Sequence, residues 1–213
     1  MDGIRVGSVP CGCKLDNHPT RLVAVTGGPG AGKTAALELA LHSFCSHVGV
    51  LPEAAGILFG GGFPRHDSAI GRRTAQRAIY HVERELEALA LAETQVAIAL
   101  CDRGTIDGLA YWPDPPETYW EQFGTTRDDE LARYTAVIHL RTPGVAQGYN
   151  HSNTLRTETA AEALRIDQRI LDAWAGHPNR VIIPSDDVFE RKAVRALDAV
   201  RALLPACCDP QTL

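Results

Sequence analysis

Eight consecutive residues near the beginning of the chain have the composition of an anion-binding turn. They are Gly27-Gly28-Pro29-Gly30-Ala31-Gly32-Lys33-Thr34, which fit the pattern G-x-x-x-x-G-K-S/T. Because glycines lack a Cβ atom, the backbone can fold its N–H groups around an anion, and a helix that starts there adds its positive dipole end. Lys33 can reach the outer phosphates of a polyphosphate, and the Thr34 hydroxyl can ligate Mg²⁺.

The neighbouring residues supply the strand and the helix that such a turn requires. Residues 21–26 contain a short apolar run with two valines, which is typical of a strand buried on both faces. Residues 33–47 begin with strong helix formers. We therefore predict a phosphate-binding loop whose contacts to a nucleotide come from Gly28, Pro29, Gly30, Ala31, Gly32, Lys33, Thr34 and Ala35.

Strand and helix patterns alternate along the rest of the chain. Apolar runs predict further strands over residues 48–51, 96–101, 135–140 and 180–183. Helices are predicted over residues 68–93, 158–175 and 187–204. Residues 56–66, which contain glycine and proline, are predicted as a loop, and residues 111–130 as loop-rich. The alternation predicts an α/β fold, with helices on both faces of a parallel sheet and ligands at the carboxyl ends of its strands.

Length and composition are those of one globular domain. The 213 residues are 45% hydrophobic and 22% charged. We divide them into a flexible N-terminal arm (1–20), one domain (21–205) and a C-terminal tail (206–213). The net charge of −5 does not favour binding to nucleic acid or to an anionic membrane, which requires a basic surface. Without a secretory signal or an apolar run of about 18 residues for a membrane span, we expect a cytoplasmic protein.

Charged side chains follow the predicted strands where ligands are expected. Asp102 comes directly after an apolar strand, where a carboxylate can hold Mg²⁺ or act as a base; a strand-end cap is the alternative. Its neighbour Arg103 offers a fork of donors to phosphate, and Asp107 either orients that arginine or lies at the surface. Glu53 follows the second strand and can take the proton of a substrate hydroxyl; a solvated loop glutamate is the alternative.

Several arginines in the last third of the chain suit a lid over a transferring phosphate. They are Arg141, Arg156, Arg165 and Arg169, and we consider Arg156 the leading candidate for catalysis. The alternative is a solvated helix face on which the arginines are balanced by Glu158, Glu162, Asp167 and Asp172.

An aromatic segment and one glutamine leave two interpretations open. Five of the thirteen aromatic residues lie between Tyr111 and Phe123, where they can either stack on a flat substrate ring or pack in a core. Gln76 can hydrogen-bond a base if it is buried, but we expect an exposed helix residue.

Six cysteines divide into two kinds. Cys45 and Cys101 lie in apolar segments, whereas the others lie near the two ends of the chain, at Cys11, Cys13, Cys207 and Cys208. A metal or redox site built from both ends, with His18 nearby, is one interpretation. Because the spacings match no standard zinc pattern, we expect reduced, unligated thiols instead.

With these residues placed, the chain resembles a phosphate-loop family of AAA-type ATP-binding domains that is similar to the ribosylnicotinamide kinase domain of bacterial NadR. The resemblance covers about residues 20–204. It rests on the phosphate-binding turn and on three further stretches, Pro52-Glu53-Ala54-Ala55, Asp102-Arg103-Gly104-Thr105-Ile106-Asp107-Gly108 and Arg156-Thr157-Glu158. Deoxynucleoside and thymidylate kinases have a similar acidic residue–Arg pair, and also a carboxylate where Glu53 stands.

This resemblance implies a three-layer P-loop NTPase fold with a five-stranded parallel sheet in the order 2-3-1-4-5. It also implies ATP and Mg²⁺ as cofactors and a small, nucleoside-like phosphoryl acceptor; a homodimer is compatible with it. We predict Thr34 and Asp102 as Mg²⁺ ligands. The predicted catalytic residues are Lys33, Glu53, Asp102, Arg103 and Arg156.

We accordingly expect a Mg-ATP-dependent small-molecule kinase. The alternative is a nucleotide-binding regulator or slow NTPase that acts on a protein or lipid partner. The residue after Asp102 is arginine rather than the glutamate of a hydrolytic AAA-type motor, and an Asn-Lys-x-Asp motif for guanine does not occur.

Overall fold

A computed structural model describes residues 4–15, 17–144, 159–185 and 189–208. The strands are β1 (Arg5–Val6), β2 (Arg21–Thr26), β3 (Val48–Leu51), β4 (Ile98–Asp102), β5 (Tyr134–Leu140) and β6 (Arg180–Ile183). The α-helices are α1 (Lys33–Ser43), α2 (Ala54–Gly60), α3 (Ala69–Glu93), α4 (Pro116–Phe123), α5 (Arg127–Ala132), α6 (Ala160–Ala173) and α7 (Phe189–Arg201). Within the described ranges, 3-10 helices cover Thr105–Tyr111 and Ala206–Cys208. None of the helices in these ranges is long and apolar enough to cross a membrane.

The sheet has six strands in the order β1-β3-β4-β2-β5-β6. The strands from β2 onward pair in parallel, whereas β1 is antiparallel to β3 and places Arg5 opposite Val50. The α/β class is therefore as predicted. The prediction of a five-stranded, wholly parallel sheet in the order 2-3-1-4-5 is wrong, because a sixth, antiparallel strand, β1, is added to the order at the edge formed by β3. A two-residue strand leaves no periodic pattern in the sequence, so the pairing becomes visible only in the structure.

Each face of the sheet carries its own hydrophobic core. The central strand β2 sends Val23 and Val25 into a core shared with α1 and α7. Its other side sends Leu22 and Ala24 into a core shared with α3 and α6. This double burial explains why the strand is a continuous apolar run rather than an alternating one, and it fixes both the loop and the helix that follow.

Short helices occupy the segments predicted as loops. Helix α2 runs over Ala54–Gly60 and overlaps the predicted 56–66 loop, and α4 and α5 occupy much of the segment 111–130. Their ends carry local signals: α4 ends at Gly124 in a left-handed conformation, and the Thr126 hydroxyl accepts a hydrogen bond at the start of α5. Glu53 is the N-cap residue of α2, and α4 carries three of the five residues of the aromatic segment.

Candidate functional site

The predicted phosphate-binding loop joins β2 to α1 at the carboxyl edge of the sheet. Three of its glycines have positive φ angles, +135° at Gly27, +75° at Gly30 and +92° at Gly32. A Cβ atom at Gly27 would collide with the carbonyl oxygen of Leu140. Glycine is therefore required here both by the backbone conformation and by the close approach of β5.

Side chains from the far end of the chain hold this loop from outside. An Asp167 oxygen accepts a hydrogen bond of 2.9 Å from the Gly28 amide. The Lys192 ammonium donates to the Ala31 carbonyl at 2.6 Å. Neither residue has a local sequence pattern that links it to the loop, so these two contacts become visible only in the structure.

Asp167 does not fit the alternative interpretation of α6, in which the acids of this helix lie on a solvated face. Its side chain is fully buried, and it contacts His139 Nε2 at 3.1 Å and pairs with Arg141 Nε at 2.7 Å. Burial alone would raise the pKa of the Asp167 carboxyl. The bonds from His139 and the Gly28 amide outweigh burial and lower that pKa, so the group stays ionised.

Replacing Asp167 with asparagine is expected to reduce the free energy of unfolding by about 3 kcal/mol, since it breaks a buried ion pair. The change is measured by urea denaturation. The matched control is Asp172→Asn, an exposed position on the same helix, which is expected to change stability by less than about 0.5 kcal/mol. Equal effects of the two substitutions would contradict the anchoring role.

Lys33 begins α1 and lies buried against the loop. Its ammonium donates to the carbonyl oxygens of Gly27 at 2.9 Å and Gly28 at 3.4 Å. Burial, together with the charge of Arg103, lowers the pKa of Lys33 to about 8. The amine is therefore mostly charged at neutral pH, as an interaction with phosphate requires.

Asp102 is the last residue of β4 and lies opposite Val25 in the central strand. Its Oδ1 atom is buried and has no hydrogen-bond partner in the described part of the chain. Burial raises the pKa of this carboxyl to about 6, against the attraction of Lys33. A buried oxygen without a donor is unfavourable by itself but suits a hard cation, and the exposed Thr34 can supply a second oxygen. The two residues fit a Mg²⁺ site.

Arg103 connects the loop to the acidic side chains around it. Its Nε donates to Glu53 at 2.7 Å, and its Nη1 donates to the Gly27 carbonyl at 3.3 Å and to Asp107 at 3.2 Å. Its own backbone has a φ of +79°, a left-handed conformation that few side chains adopt. The guanidinium is thus held in one place by three partners.

Asp107 orients Arg103 and does not lie at the surface. Besides Arg103, Asp107 accepts hydrogen bonds from the Thr26 hydroxyl at 2.6 Å and the Trp174 indole at 2.6 Å.

For Glu53, burial would raise the pKa of the carboxyl, but the charges of Arg103 and Lys33 outweigh burial and the net shift of that pKa is downward. Glu53 therefore presents an ionised carboxylate beside the loop.

The region beyond Arg103 is lined by aromatic and polar groups. The Tyr111 ring lies 5.8 Å from the Arg103 guanidinium. Gln76 is buried next to Gly108, so the expectation of an exposed glutamine is wrong. Glu83 on the same helix is also buried; burial, followed by the charge of Glu87, holds its pKa well above the usual value. Sequence analysis missed Glu83, which looks like any helix glutamate.

Most of the aromatic segment packs as core rather than facing a ligand. Trp112 and Tyr119 form a cluster with Tyr80, and Phe123 stacks on Tyr80 with ring centroids 3.8 Å apart. Among the five aromatics, Tyr111 is the one that contacts the arginine of the site.

The arginines proposed for a lid have different environments. Arg141 follows β5 and pairs with Asp167, whereas Arg165 and Arg169 are exposed on α6. Arg156, the leading candidate from sequence, lies outside the described residues, so its catalytic role stays a prediction.

Comparison with solved structures identifies proteins of the same fold. A NadR protein in complex with NR has a TM-score of 0.67 and 16% identity, and the match covers 87% of this chain and 52% of that one. NadR in complex with NAD and AMP-PNP has a TM-score of 0.58 and 18% identity, with 87% and 49% covered. The chain thus spans about half the length of these NadR chains. Thymidylate kinase from Candida albicans has a TM-score of 0.61 and 12% identity, with 86% and 92% covered.

Sequence comparison places the chain in a family. No curated protein matches it. A family model described as an AAA domain, AAA_28, matches residues 22–191, well over half of the sequence. The solved structures above share the fold of this chain, and the family match shows that the chain belongs to the AAA_28 family of AAA domains.

Proposed function

We propose that this protein is a Mg-ATP-dependent kinase that transfers the γ-phosphoryl group to a small, nucleoside-like acceptor. The observation that carries the proposal is the arrangement around Asp102. Its buried Oδ1 atom has no hydrogen-bond partner among the described residues, the positive charge of Lys33 attracts the carboxylate, and the Glu53–Arg103 pair lies beside it. In the cytoplasmic location predicted from the sequence, ATP and Mg²⁺ are both abundant.

The loop from Gly28 to Ala35 would enclose the phosphates of ATP and bind them through the amides that follow Pro29 and the N-terminus of α1, since the Gly28 amide donates to Asp167 and Pro29 has no N–H. Thr34 and Asp102 would hold Mg²⁺, which neutralises charge on the phosphate oxygens when bound. Lys33, now hydrogen-bonded to loop carbonyls, would turn its ammonium to the outer phosphates. Because the loop is fixed from outside by Asp167 and Lys192, its amides need little rearrangement to receive the anion.

Glu53 would act on the acceptor. Its ionised carboxylate can accept a hydrogen bond from the acceptor hydroxyl and take its proton as the oxygen attacks the γ-phosphorus. The pairing with Arg103 fixes the orientation of the carboxylate. Arg103 would in turn hold the acceptor or the transferring phosphoryl group through its guanidinium.

The groups beyond Arg103 and the solved structures of similar fold support the proposed acceptor class. Tyr111 offers an aromatic face and Gln76 a buried amide, which suit a flat heterocycle and a polar substituent on it. The solved structures of similar fold include a NadR protein in complex with NR and a thymidylate kinase, which supports the proposal of a nucleoside-like acceptor for this chain.

A screen for acceptor-dependent ADP release tests the proposal. Nicotinamide riboside, thymidylate, other nucleosides and simple alcohols are offered with ATP and Mg²⁺, and products are identified by mass spectrometry. We expect at least one nucleoside-like acceptor to accelerate ADP release by more than about tenfold over the rate without acceptor. If calorimetry shows ATP binding but every acceptor leaves the rate unchanged, the kinase proposal fails.

A further inference from the structure

Six cysteine and histidine side chains from distant parts of the sequence meet in one cluster. This Cys/His cluster consists of Cys11, Cys13, His18, Cys45, His47 and Cys208. They come from the N-terminal segment, the turn between α1 and β3, and the 3-10 helix that follows α7. Because α1 runs from the carboxyl edge of the sheet to the opposite edge over about 16 Å, the cluster lies at the far edge from the phosphate-binding loop.

The backbone brings these segments together by regular contacts. The amide of Val9 donates to Phe44 O at 3.0 Å, and Val9 forms an isolated parallel bridge with Cys45. The amide of Cys208 donates to Pro205 O at 2.8 Å and closes the 3-10 helix after α7, and Cys208 Sγ contacts His47 in the turn after α1. The cluster therefore has a built scaffold.

Four of the side chains have the spacing of a tetrahedral metal site. The ligand atoms of Cys11, Cys45, His47 and Cys208 all lie within 4.8 Å of one another. His47 Nδ1 is 3.3 Å from Cys208 Sγ and 3.8 Å from Cys45 Sγ. Zinc bonds of about 2.3 Å to sulfur and about 2.1 Å to nitrogen place such atoms about 3.6 Å apart in a tetrahedron. Little movement is needed to close the site.

Backbone donors point at the sulfur atoms of the N-terminal segment. The Cys13 amide donates to Cys11 Sγ at 3.4 Å, and the Leu15 amide donates to Cys13 Sγ at 3.4 Å. A donor directed at a sulfur atom fixes the orientation of that side chain. A surface pocket bordered by Cys11, Cys13 and His47 gives an ion an access route.

We propose that Cys11, Cys45, His47 and Cys208 bind a structural Zn²⁺ ion that ties both terminal segments to the turn after α1. Thiolate and imidazole ligands suit zinc, and four protein ligands leave no position for a substrate. The three thiols release their protons as the ion binds. Cys13 and His18, whose Sγ and Nε2 atoms are 3.5 Å apart, form a second set of the same spacing with His47 and Cys208, and the variants described below distinguish the two sets. The expectation of unligated thiols is replaced by this assignment.

Metal analysis of the whole protein, purified with zinc in the medium and dialysed, tests the site. We expect stoichiometric zinc in the wild type and in Cys207→Ser, a matched control at the exposed neighbour of Cys208. Cys208→Ser and Cys45→Ser are expected to lose it. Removal of the ion by a chelator is expected to lower Tm by more than about 5 °C, and added Zn²⁺ to restore it.

Cobalt titration of the wild-type apo-protein keeps the test independent of variant folding. Tetrahedral thiolate ligation is expected to give intense visible bands and a sulfur-to-cobalt charge-transfer band. Absence of these bands, a disulfide among the cluster cysteines, or zinc retained by both Cys208→Ser and Cys45→Ser would overturn the proposal. Loss of zinc in Cys13→Ser and His18→Ala but not in Cys11→Ser would overturn the ligand assignment. The zinc measurement does not depend on the kinase proposal: the Asp102→Asn variant is expected to retain its zinc even though its phosphoryl transfer is impaired.

Discussion

Replacing Asp102 with asparagine is expected to lower kcat of the proposed phosphoryl transfer by about 10²- to 10³-fold. The substitution keeps the size of the side chain but removes the charge on the buried oxygen that fits Mg²⁺. Steady-state kinetics with the acceptor found in the screen measures the loss. The matched control is Asp198→Asn on α7, where the carboxylate is exposed and pairs only locally with Arg201 among the described contacts.

The dependence on metal separates the role of Asp102 from that of Glu53. In Asp102→Asn, ATP affinity without Mg²⁺ is expected to stay the same or increase, because a negative charge near the phosphates is gone. Affinity with Mg²⁺ is expected to fall. Glu53→Gln is expected to leave both affinities unchanged and to reduce kcat by about 10²-fold. If the two variants respond identically to Mg²⁺, the division of roles is wrong.

Replacing Lys33 with alanine is expected to reduce kcat/KM by about 10²- to 10³-fold, since the loop then lacks its buried cation.

The affinity of the wild type for ATP is expected to depend on pH through Lys33. Because burial and Arg103 lower the pKa of Lys33 to about 8, the free protein loses this charge above that pH, whereas bound phosphate favours it. The Kd for ATP is therefore expected to increase by up to about tenfold per pH unit above pH 8.

Calorimetry in buffers with different ionisation enthalpies checks this linkage. Near pH 8.5 the wild type is expected to take up a proton when ATP binds. Lys33→Arg is the informative control, because a guanidinium keeps its charge throughout this range and should flatten the pH profile. Uptake of about one proton predicts a clear rise of the wild-type Kd between pH 7.5 and 9.5, so a constant Kd over this range would contradict the lowered pKa of Lys33.

The parts of the site that sequence analysis located are those with short-range signals. The glycine-rich loop between a strand and a helix is encoded in eight adjacent residues, and Asp102 and Glu53 follow apolar strands. In a parallel sheet, the residue that follows a strand lies at the carboxyl edge, where ligands bind. These positions could therefore be predicted without tertiary information.

The residues that sequence analysis missed depend on contacts between distant segments. Asp167 looks like a solvated helix acid until its helix is packed on the loop, and Lys192 like any surface lysine. The Cys/His cluster has no recognisable spacing, because its members come from three separate segments. Strand β1 is too short for a pattern, although its pairing helps to position Cys11 near the turn.

The outside support of the phosphate-binding loop also has a consequence for biosynthesis. The Gly28 amide and the Ala31 carbonyl meet partners that lie 139 and 161 residues further along the chain. Contacts at such separation form late, because the intervening chain must be ordered first. A nascent polypeptide that has emerged only as far as β5 carries the complete glycine motif but neither Asp167 nor Lys192. We therefore expect ATP to be captured during translation only once α7 has left the ribosome.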